Sequence, residues 1–200
     1  MKFAQSCAIP TGRGEGQVLC TYQVTIYSMK TTLYSVTVPL FKKHLKNLSP
    51  ILEKAEAHLG TQELLRLMND GLAEDMFPLG RQIEITCDTA KGAASRLSGK
   101  DMPRFDDGDY SLETLTTRIK ETIAYLDTIG EADFAESETQ RVVLPFIPDR
   151  SMDGFGYATE YALPNFFFHM TTAYGILRKN GVPLGKTDYI GGLPFSDESA

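Results

Sequence analysis

Apolar side chains recur with the period of an α-helix through most of the chain. The helices that this period predicts span about residues 31–59, 61–68, 77–97, 111–130 and 164–180. Pro164 suits a first helical turn and Gly181 is a typical helix stop, so the last helix has clear predicted ends. The pattern predicts an all-α protein in which the four longer helices pack as a bundle.

Two kinds of segment interrupt the helical period. Arg141–Ile147 is apolar and rich in β-branched residues, and Asp149–Gly156 has turn chemistry, so we expect a short β-hairpin before the last helix. Pro39 and Pro50 fall inside the first helix, where each removes a backbone hydrogen bond, so we expect a kink or a break there. Residues 99–110, rich in Asp and Gly, predict a long loop.

The two ends of the chain do not share the helical period. Residues 1–28 contain a Gly-x-Gly-x-Gly run and then an alternating stretch at Tyr22–Ile26, so we expect a poorly ordered N-terminal appendage that folding does not require. The glycine run precedes a predicted strand and does not join a strand to a helix, so it does not predict a phosphate-binding loop. The bundle is expected at residues 29–191, with loose packing from Leu184 and an acidic tail at 192–200.

Composition and charge exclude several classes of function. The chain is 42% hydrophobic and 23% charged, as expected for a soluble globular protein, and no apolar run approaches the roughly 18 residues of a membrane span. Twenty basic against 26 acidic residues give a net charge of −6 without a local basic cluster, which argues against nucleic acid and membrane partners. The three cysteines are odd in number and show no metal-ligand spacing, so we expect no disulfide framework and a reducing compartment. The N-terminus lacks the apolar core of a secretory signal, so we expect a cytoplasmic location.

The last predicted helix carries the best candidate for a catalytic site. The candidate catalytic residues are His169, Asn165, Gln82, Thr86, Tyr174 and His44. Asn165 and His169 lie one turn apart at the edge of an apolar stripe, facing the bundle interior. We expect His169 to be hydrogen-bonded to Gln82 or to another polar residue of the second long helix. An imidazole beside an amide and hydroxyls is typical of a general acid–base pocket.

Other polar residues have a simpler structural interpretation. His44 faces inward, and a core-edge histidine satisfied by a neighbour is a simpler interpretation than a ligand, as it is for His58 on the helix flank. No cationic residue close to Cys87 in the sequence would stabilise a thiolate, so Cys87 is expected to be a small residue at the edge of the core. The second long helix is expected to expose a solvated charged face, formed by Arg81, Glu84, Asp88 and Lys91.

Four segments of the chain resemble one known family. These segments are Met76–Gln82, Cys87–Ala93, Leu163–His169 and Gly181–Lys186. They are similar to the DUF1993 family, a domain of unknown function grouped with the DinB/YfiT-like metalloenzymes. The resemblance covers about residues 29–191 and implies an antiparallel DinB-like four-helix bundle with a long crossover connection, often paired as a homodimer.

The resemblance also bears on metal binding. Better-studied relatives hold a divalent metal with three histidines, one on the second helix and two on the last helix spaced His-x-x-x-His. Here His169 matches the second histidine of that pair, Asn165 stands at the first position, and Gln82 or Thr86 would replace the histidine of the second helix. An amide or hydroxyl binds zinc or nickel far more weakly than imidazole does, so we expect no bound metal or other cofactor, with His169 the one strong ligand if a metal is present.

Two functions stay open from the sequence. The first is an isomerase or transferase acting on an unidentified small molecule, as the relatives imply. The alternative is a non-catalytic module, a dimer that binds a small ligand or another protein. A pocket in which His169, Gln82 and a third polar group converge would favour the enzyme, whereas apolar packing at that place would favour the module.

Overall fold

Capping residues mark the starts of two long helices and the end of a third. A computed structural model describes residues 31–108 and 110–195. Its helices and strands are α1 (Leu33–Leu59), α2 (Thr61–Leu67), α3 (Leu79–Ser98), α4 (Leu112–Asp127), β1 (Val142–Leu144), β2 (Ile147–Met152), α5 (Gly154–Gly156), α6 (Leu163–Lys179) and α7 (Lys186–Ile190). The Thr32 hydroxyl accepts from the Ser35 amide at 3.2 Å, and the Ser111 hydroxyl accepts from the Thr114 amide at 3.1 Å. Gly99 closes α3 in the left-handed conformation.

Helices α1, α3, α4 and α6 form the predicted bundle. α3 packs against α6 and α4, and α1 packs against α4 and α3. The predicted apolar stripe of α6, with Phe166 and Met170 among its members, is fully buried in the core. The predicted hairpin is present, since β1 pairs antiparallel with β2. The all-α fold with one short hairpin is therefore confirmed. Of the described helices, none is long and apolar enough to cross a membrane.

The first helix continues through its two prolines. α1 is helical from Leu33 to Leu59, so of the kink or break expected at Pro39 and Pro50, the break is absent. Each proline costs about 3 kcal/mol in a helix interior. The helix buries a continuous stripe that includes Phe41 and Leu45, and each such side chain contributes about 1.5–3 kcal/mol on burial. Tertiary packing therefore outweighs the local cost.

The last helix starts ahead of Pro164. Helical residues run without a gap from Gly154 to Lys179, and the Asp153 side chain caps their start by accepting from the Gly156 amide at 2.7 Å. The segment Tyr157–Ala162 between α5 and α6 has π-helical hydrogen bonding. A proline cannot donate to the carbonyl four residues earlier and crowds it, so a change of hydrogen-bond spacing just before Pro164 lets the helix pass. Pro164 lies in the first turn of α6, as expected, but helical residues already begin ahead of it, at Gly154.

The turn expected at Asp149–Gly156 is also replaced by regular structure. β2 extends to Met152, and α5 starts two residues later at Gly154. Asp149 adopts a positive φ of 66° within the strand, a conformation that Asp tolerates better than most side chains do. The turn-forming residues of this segment therefore correspond to one irregular position in β2, at Asp149, and not to a turn.

The segment after α6 packs against α1. Val182 and Leu184 are buried, and α7 lies against α1, where the Asn47 amide donates to the Tyr189 carbonyl at 3.0 Å. Loose packing from Leu184 onward was therefore wrong for the residues up to Ile190. The predictions for residues 1–28 and for the last five residues of the acidic tail lie outside the described part of the chain.

Candidate functional site

His169 on α6 and Gln82 on α3 are hydrogen-bonded to each other. His169 Nδ1 lies 2.7 Å from Gln82 Oε1, and Gln82 Nε2 donates to the backbone carbonyl of Phe77 at 2.9 Å. Because the amide nitrogen is used on Phe77, the amide oxygen faces His169 and accepts from Nδ1–H. The neutral imidazole therefore carries its proton on Nδ1 and leaves a lone pair on Nε2. The expected contact between His169 and Gln82 is confirmed.

The environment of His169 favours its neutral form. Burial lowers the pKa of His169, and the positive charge of Arg81 lowers it further. The imidazole is 7% exposed. Among the described residues, the buried side-chain nitrogens and oxygens without a partner are His44 Nδ1 and the Tyr125 hydroxyl. His169 Nε2 is not one of them and has no described partner, so solvent reaches this nitrogen.

A second polar pair joins the same two helices, one turn from His169 on α6 and two turns from Gln82 on α3. The Asn165 amide nitrogen donates to the Thr89 hydroxyl at 2.8 Å. Thr89 lies seven residues after Gln82, and residues seven apart lie on nearly the same face of a helix, so this spacing was the sequence signal for Thr89. We call the four residues Gln82, Thr89, Asn165 and His169 the polar seam. The side-chain amide oxygen of Asn165 has no hydrogen-bond partner among the described residues, so it remains available as an acceptor.

Thr86 lies in the core and not at the seam surface. Its side chain is fully buried, and its hydroxyl donates to the Gln82 backbone carbonyl at 2.8 Å. This bond uses the one hydroxyl proton of Thr86 inside α3. Thr86 therefore supports the helix that positions Gln82.

Tyr174 and His44 belong to a separate aromatic group on the other flank of α6. The Tyr174 hydroxyl donates to the Leu184 carbonyl at 3.4 Å, and its ring lies 5.7 Å from Tyr189. The His44 ring lies 5.0 Å from Phe167 and 5.5 Å from Tyr189. Burial lowers the pKa of His44, as does Lys43, against the opposing effect of the Tyr189 carbonyl. These contacts involve Leu184 and Tyr189 for Tyr174, and Phe167 and Tyr189 for His44, so neither residue belongs to the seam.

Two of the four residues of the charged face of α3 are buried, contrary to the sequence prediction, while the Arg81 and Asp88 side chains each stay 34% exposed. Glu84 is 1% exposed and Lys91 is 6% exposed, because the loop between α3 and α4 lies over them and α4 adds Arg118. Arg118, itself buried, is 3.0 Å from Glu84, 3.1 Å from Asp88 and 2.9 Å from Asp107. The sequence signal for Arg118 was an arginine between the buried Leu115 and Ile119 of α4.

Two further side chains complete the interior of this region. The Lys91 ammonium lies 4.0 Å from the centroid of the Phe105 ring, a cation–π contact that helps to hold the loop down. Cys87 is fully buried, and burial raises the pKa of its thiol to about 12. The thiol is therefore protonated at neutral pH and acts as a small core residue, as expected.

The residues at the seam do not fit a three-imidazole metal site. Within residues 31–108 and 110–195, no three His, Cys, Asp or Glu side chains are arranged to hold a metal ion. His169 uses Nδ1 for Gln82, and the two remaining positions of the motif are amides, one of which is bonded to Thr89. Amide oxygens are weak ligands for zinc and nickel.

Two surface grooves lie away from the seam. One, of about 460 Å³, is lined by residues of α1 and α4 that include Glu53 and Lys120. The other, of about 330 Å³, lies between α3 and the loop that follows it and is lined by Lys91 and Arg96 among others. Neither groove is lined by His169.

Comparison with known proteins agrees with the architecture. The family model of DUF1993, a domain of unknown function, matches residues 33–190. A solved structure described as a DinB family member protein from Shewanella denitrificans is similar, with 44% sequence identity and a TM-score of 0.79. The match covers 83% of this chain and 96% of that chain. The search of curated proteins returned no match.

Proposed function

The chain belongs to the DUF1993 family of DinB-like helical proteins, and on that premise we propose that the polar seam is the active site of an isomerase or transferase acting on a small molecule. His169 serves as the general base. The observation that carries the proposal is the Gln82 side chain, which bridges the Phe77 carbonyl and His169 Nδ1. This bridge fixes the tautomer and leaves Nε2 as the basic atom at the solvent side.

The proton moves in two balanced steps. The lone pair of Nε2 takes a weakly acidic proton from the substrate, and the bonding electrons of that proton stay on the substrate. The resulting imidazolium keeps its Nδ1–H bond to Gln82 while Arg81 and burial disfavour its charge. In an isomerisation, the imidazolium returns the proton to another atom of the same substrate. In a transfer, the deprotonated nucleophile forms a bond to the transferred group while the bond to the leaving group breaks, and the imidazolium gives its proton to that leaving group.

Neighbouring groups can orient a small substrate. The Asn165 carbonyl oxygen can accept a hydrogen bond, since only the amide nitrogen is bonded to Thr89. Phe77 and Phe168 are each more than half exposed. Phe168 directly precedes His169, and Phe77 provides the backbone carbonyl to which Gln82 donates. A small molecule with one polar donor and an apolar part matches these groups. The chemistry does not use a tightly bound metal.

A non-catalytic module that binds a small ligand or a protein, as a dimer, is the second candidate. The observation that favours it is that neither groove is lined by His169, while the rings of Phe77 and Phe168 are exposed. Exposed aromatic rings are typical of contact surfaces. The two candidates differ in whether His169 exchanges a proton with the ligand.

The experiment starts with a thermal-shift screen of a metabolite library on the full chain. A ligand at about 100 times its dissociation constant adds about 2.7 kcal/mol of stability, which such a screen detects. Each compound that binds is then incubated with the protein in deuterated water, and exchange of its carbon-bound protons is followed by NMR. The matched variants are His169→Asn and His58→Asn, because His58 is exposed and lies outside the seam.

The proposal predicts exchange with the wild type and with His58→Asn, and loss of exchange with His169→Asn. A compound that binds without exchange in the wild type, and binds equally well to His169→Asn, would support the module and contradict the enzyme.

A further inference from the structure

The groove beside α3 is a surface groove lined mainly by charged side chains. It measures about 330 Å³, within the range of small-molecule pockets. Asp88, Lys91 and Arg96 line it from α3, and the loop between α3 and α4 lines it with Met102–Phe105 and Asp107. None of these residues belongs to the polar seam, so the groove needs an explanation of its own.

The two carboxylates of the groove are already compensated within the fold. Arg118 lies 3.1 Å from Asp88 and 2.9 Å from Asp107, and Lys91 lies 3.0 Å from Asp88. The hydrogen bond from Arg118 holds the pKa of Asp107 below its usual value, so this carboxylate stays ionised and paired. Neither carboxylate therefore neutralises Arg96 or Arg104, the two other cations of the groove.

Arg96 is held in one orientation without a carboxylate. Gly92 makes room for it, since a Cβ on Gly92 would lie 2.5 Å from Arg96 Nη1. The same nitrogen donates to the Tyr157 hydroxyl at 3.3 Å, and the guanidinium carbon lies 5.8 Å from the Tyr157 ring centroid. Among the described residues, Arg96 has no ion pair and no hydrogen-bond acceptor other than Tyr157, so most of its five N–H donors are available to a ligand.

Arg104 supplies a second free guanidinium on the loop side. It is exposed and makes no hydrogen bond or ion pair with residues 31–108 and 110–195. Met102, which is 42% exposed, and Pro103 provide an apolar surface beside it. The groove thus combines two unpaired guanidinium groups with apolar side chains in a chain whose net charge is −6.

We propose that this groove binds a small organic anion, a phosphate or carboxylate carried on an apolar or aromatic body. Arg96 and Arg104 hold the oxyanion, because guanidinium groups match the geometry of carboxylate and phosphate oxygens. Met102 and Pro103 contact the apolar body. The proposal is independent of the role of His169.

The test is an NMR titration of the isotope-labelled full chain with phenyl phosphate, with benzoate, and with phenol as the uncharged control. At least one of the two anions is expected to give saturable shifts of groove residues at about 1 mM or below, and phenol is not. The anion that binds more tightly identifies the headgroup. Arg96→Gln and Arg104→Gln should each weaken binding about tenfold, whereas Arg150→Gln, an exposed arginine of β2, should not.

A second variant tests the orientation of Arg96 without removing its charge. Gly92→Ala adds a methyl group that displaces the Arg96 guanidinium, the far end of a flexible side chain, while alanine favours the helix. Binding should weaken while the thermal midpoint stays equal or rises. The proposal is overturned if neither anion gives saturable shifts up to about 10 mM, if phenol binds as well as the anions, or if both arginine variants bind like the wild type.

Discussion

The side-chain amide of Gln82 and the imidazole of His169 are joined by a hydrogen bond of 2.7 Å that links two helices of the bundle. The two residues lie on α3 and α6, which pack against each other in the core. Gln82 is anchored in turn by its bond to the Phe77 carbonyl, so the imidazole has a defined partner, tautomer and direction. This relationship ties the stability of the bundle to the chemistry proposed for the seam.

Replacing Gln82 should destabilise the protein. Gln82→Met keeps the length of the side chain but leaves His169 Nδ1 and the Phe77 carbonyl without their partner, and a buried unpaired polar group costs about 1–3 kcal/mol. Urea unfolding measures the loss. Gln62→Met, at an exposed position of α2, is the control and should change the free energy of unfolding little. Equal effects of the two changes would show that the hydrogen bond does not contribute to stability.

Removing Arg118 should cost more. Arg118→Met removes the buried cation beside Glu84, and breaking a buried ion pair on one side costs about 3–5 kcal/mol. Because Glu84 keeps its ion pair with Arg81, and Asp107 is exposed, we expect a loss at the lower end of that range. Arg66→Met is the matched control, because Arg66 is also paired with two carboxylates but lies in solvent and should contribute little. Equilibrium unfolding of both variants decides the matter. Similar losses in the two would mean that the Arg118 network is not a buried stabilising cluster.

Stability should fall as the pH drops below the ordinary histidine range. The pKa values of His169 and His44 are both lowered in the folded state, chiefly by burial, from an ordinary value of 6.5. The stabilisation from a lowered pKa is fully present above 6.5 and is lost as the pH falls through the folded pKa. Thermal midpoints between about pH 7.5 and about pH 5 should therefore decline.

Histidine variants assign this pH dependence. His169→Gln should flatten part of the decline, because a glutamine cannot take up the proton. His58→Gln should keep the wild-type slope, because His58 is exposed. A decline of the same size in His169→Gln would mean that His169 does not titrate in this range.

Deletions should separate the docked C-terminal segment from the N-terminal residues. A chain that ends before Leu184 loses this buried side chain and the bond from Asn47 to the Tyr189 carbonyl, so its thermal midpoint should fall by several degrees, about the effect of 1 kcal/mol or more. Deleting residues 1–28, which share no helical period with the bundle, should leave the midpoint nearly unchanged. A larger fall in thermal midpoint from deleting residues 1–28 than from the C-terminal deletion would show that the predicted domain boundary is wrong.

The bundle could be predicted because its signal is local. Phe166 and Met170 are four residues apart, and burying one stripe of a helix needs only that repeat. The partner of His169 could be predicted for a similar reason, because Gln82 lies at the inner edge of the neighbouring helix. A periodic pattern with few alternatives specifies both.

The rest depends on residues far apart in the chain. The Lys91 ammonium is buried because Phe105 of the following loop covers it, and Glu84 is buried because Arg118 reaches it from α4. The sequence of α3 alone indicates neither contact, so its charged residues were predicted to form a solvent-exposed face. The helical residues ahead of α6 were not predicted, because no local pattern indicates the π-helical segment that leads into Pro164.

The central claim is that His169 presents a neutral, basic Nε2 to solvent while Nδ1 donates to Gln82. Long-range proton–nitrogen NMR of the histidine rings tests it without a substrate, with His169→Asn assigning the signals. The account predicts a protonated Nδ1 and a bare Nε2 at neutral pH, and a pKa for His169 below 6.5. A ring protonated on Nε2 instead, or a pKa above 6.5, would contradict it.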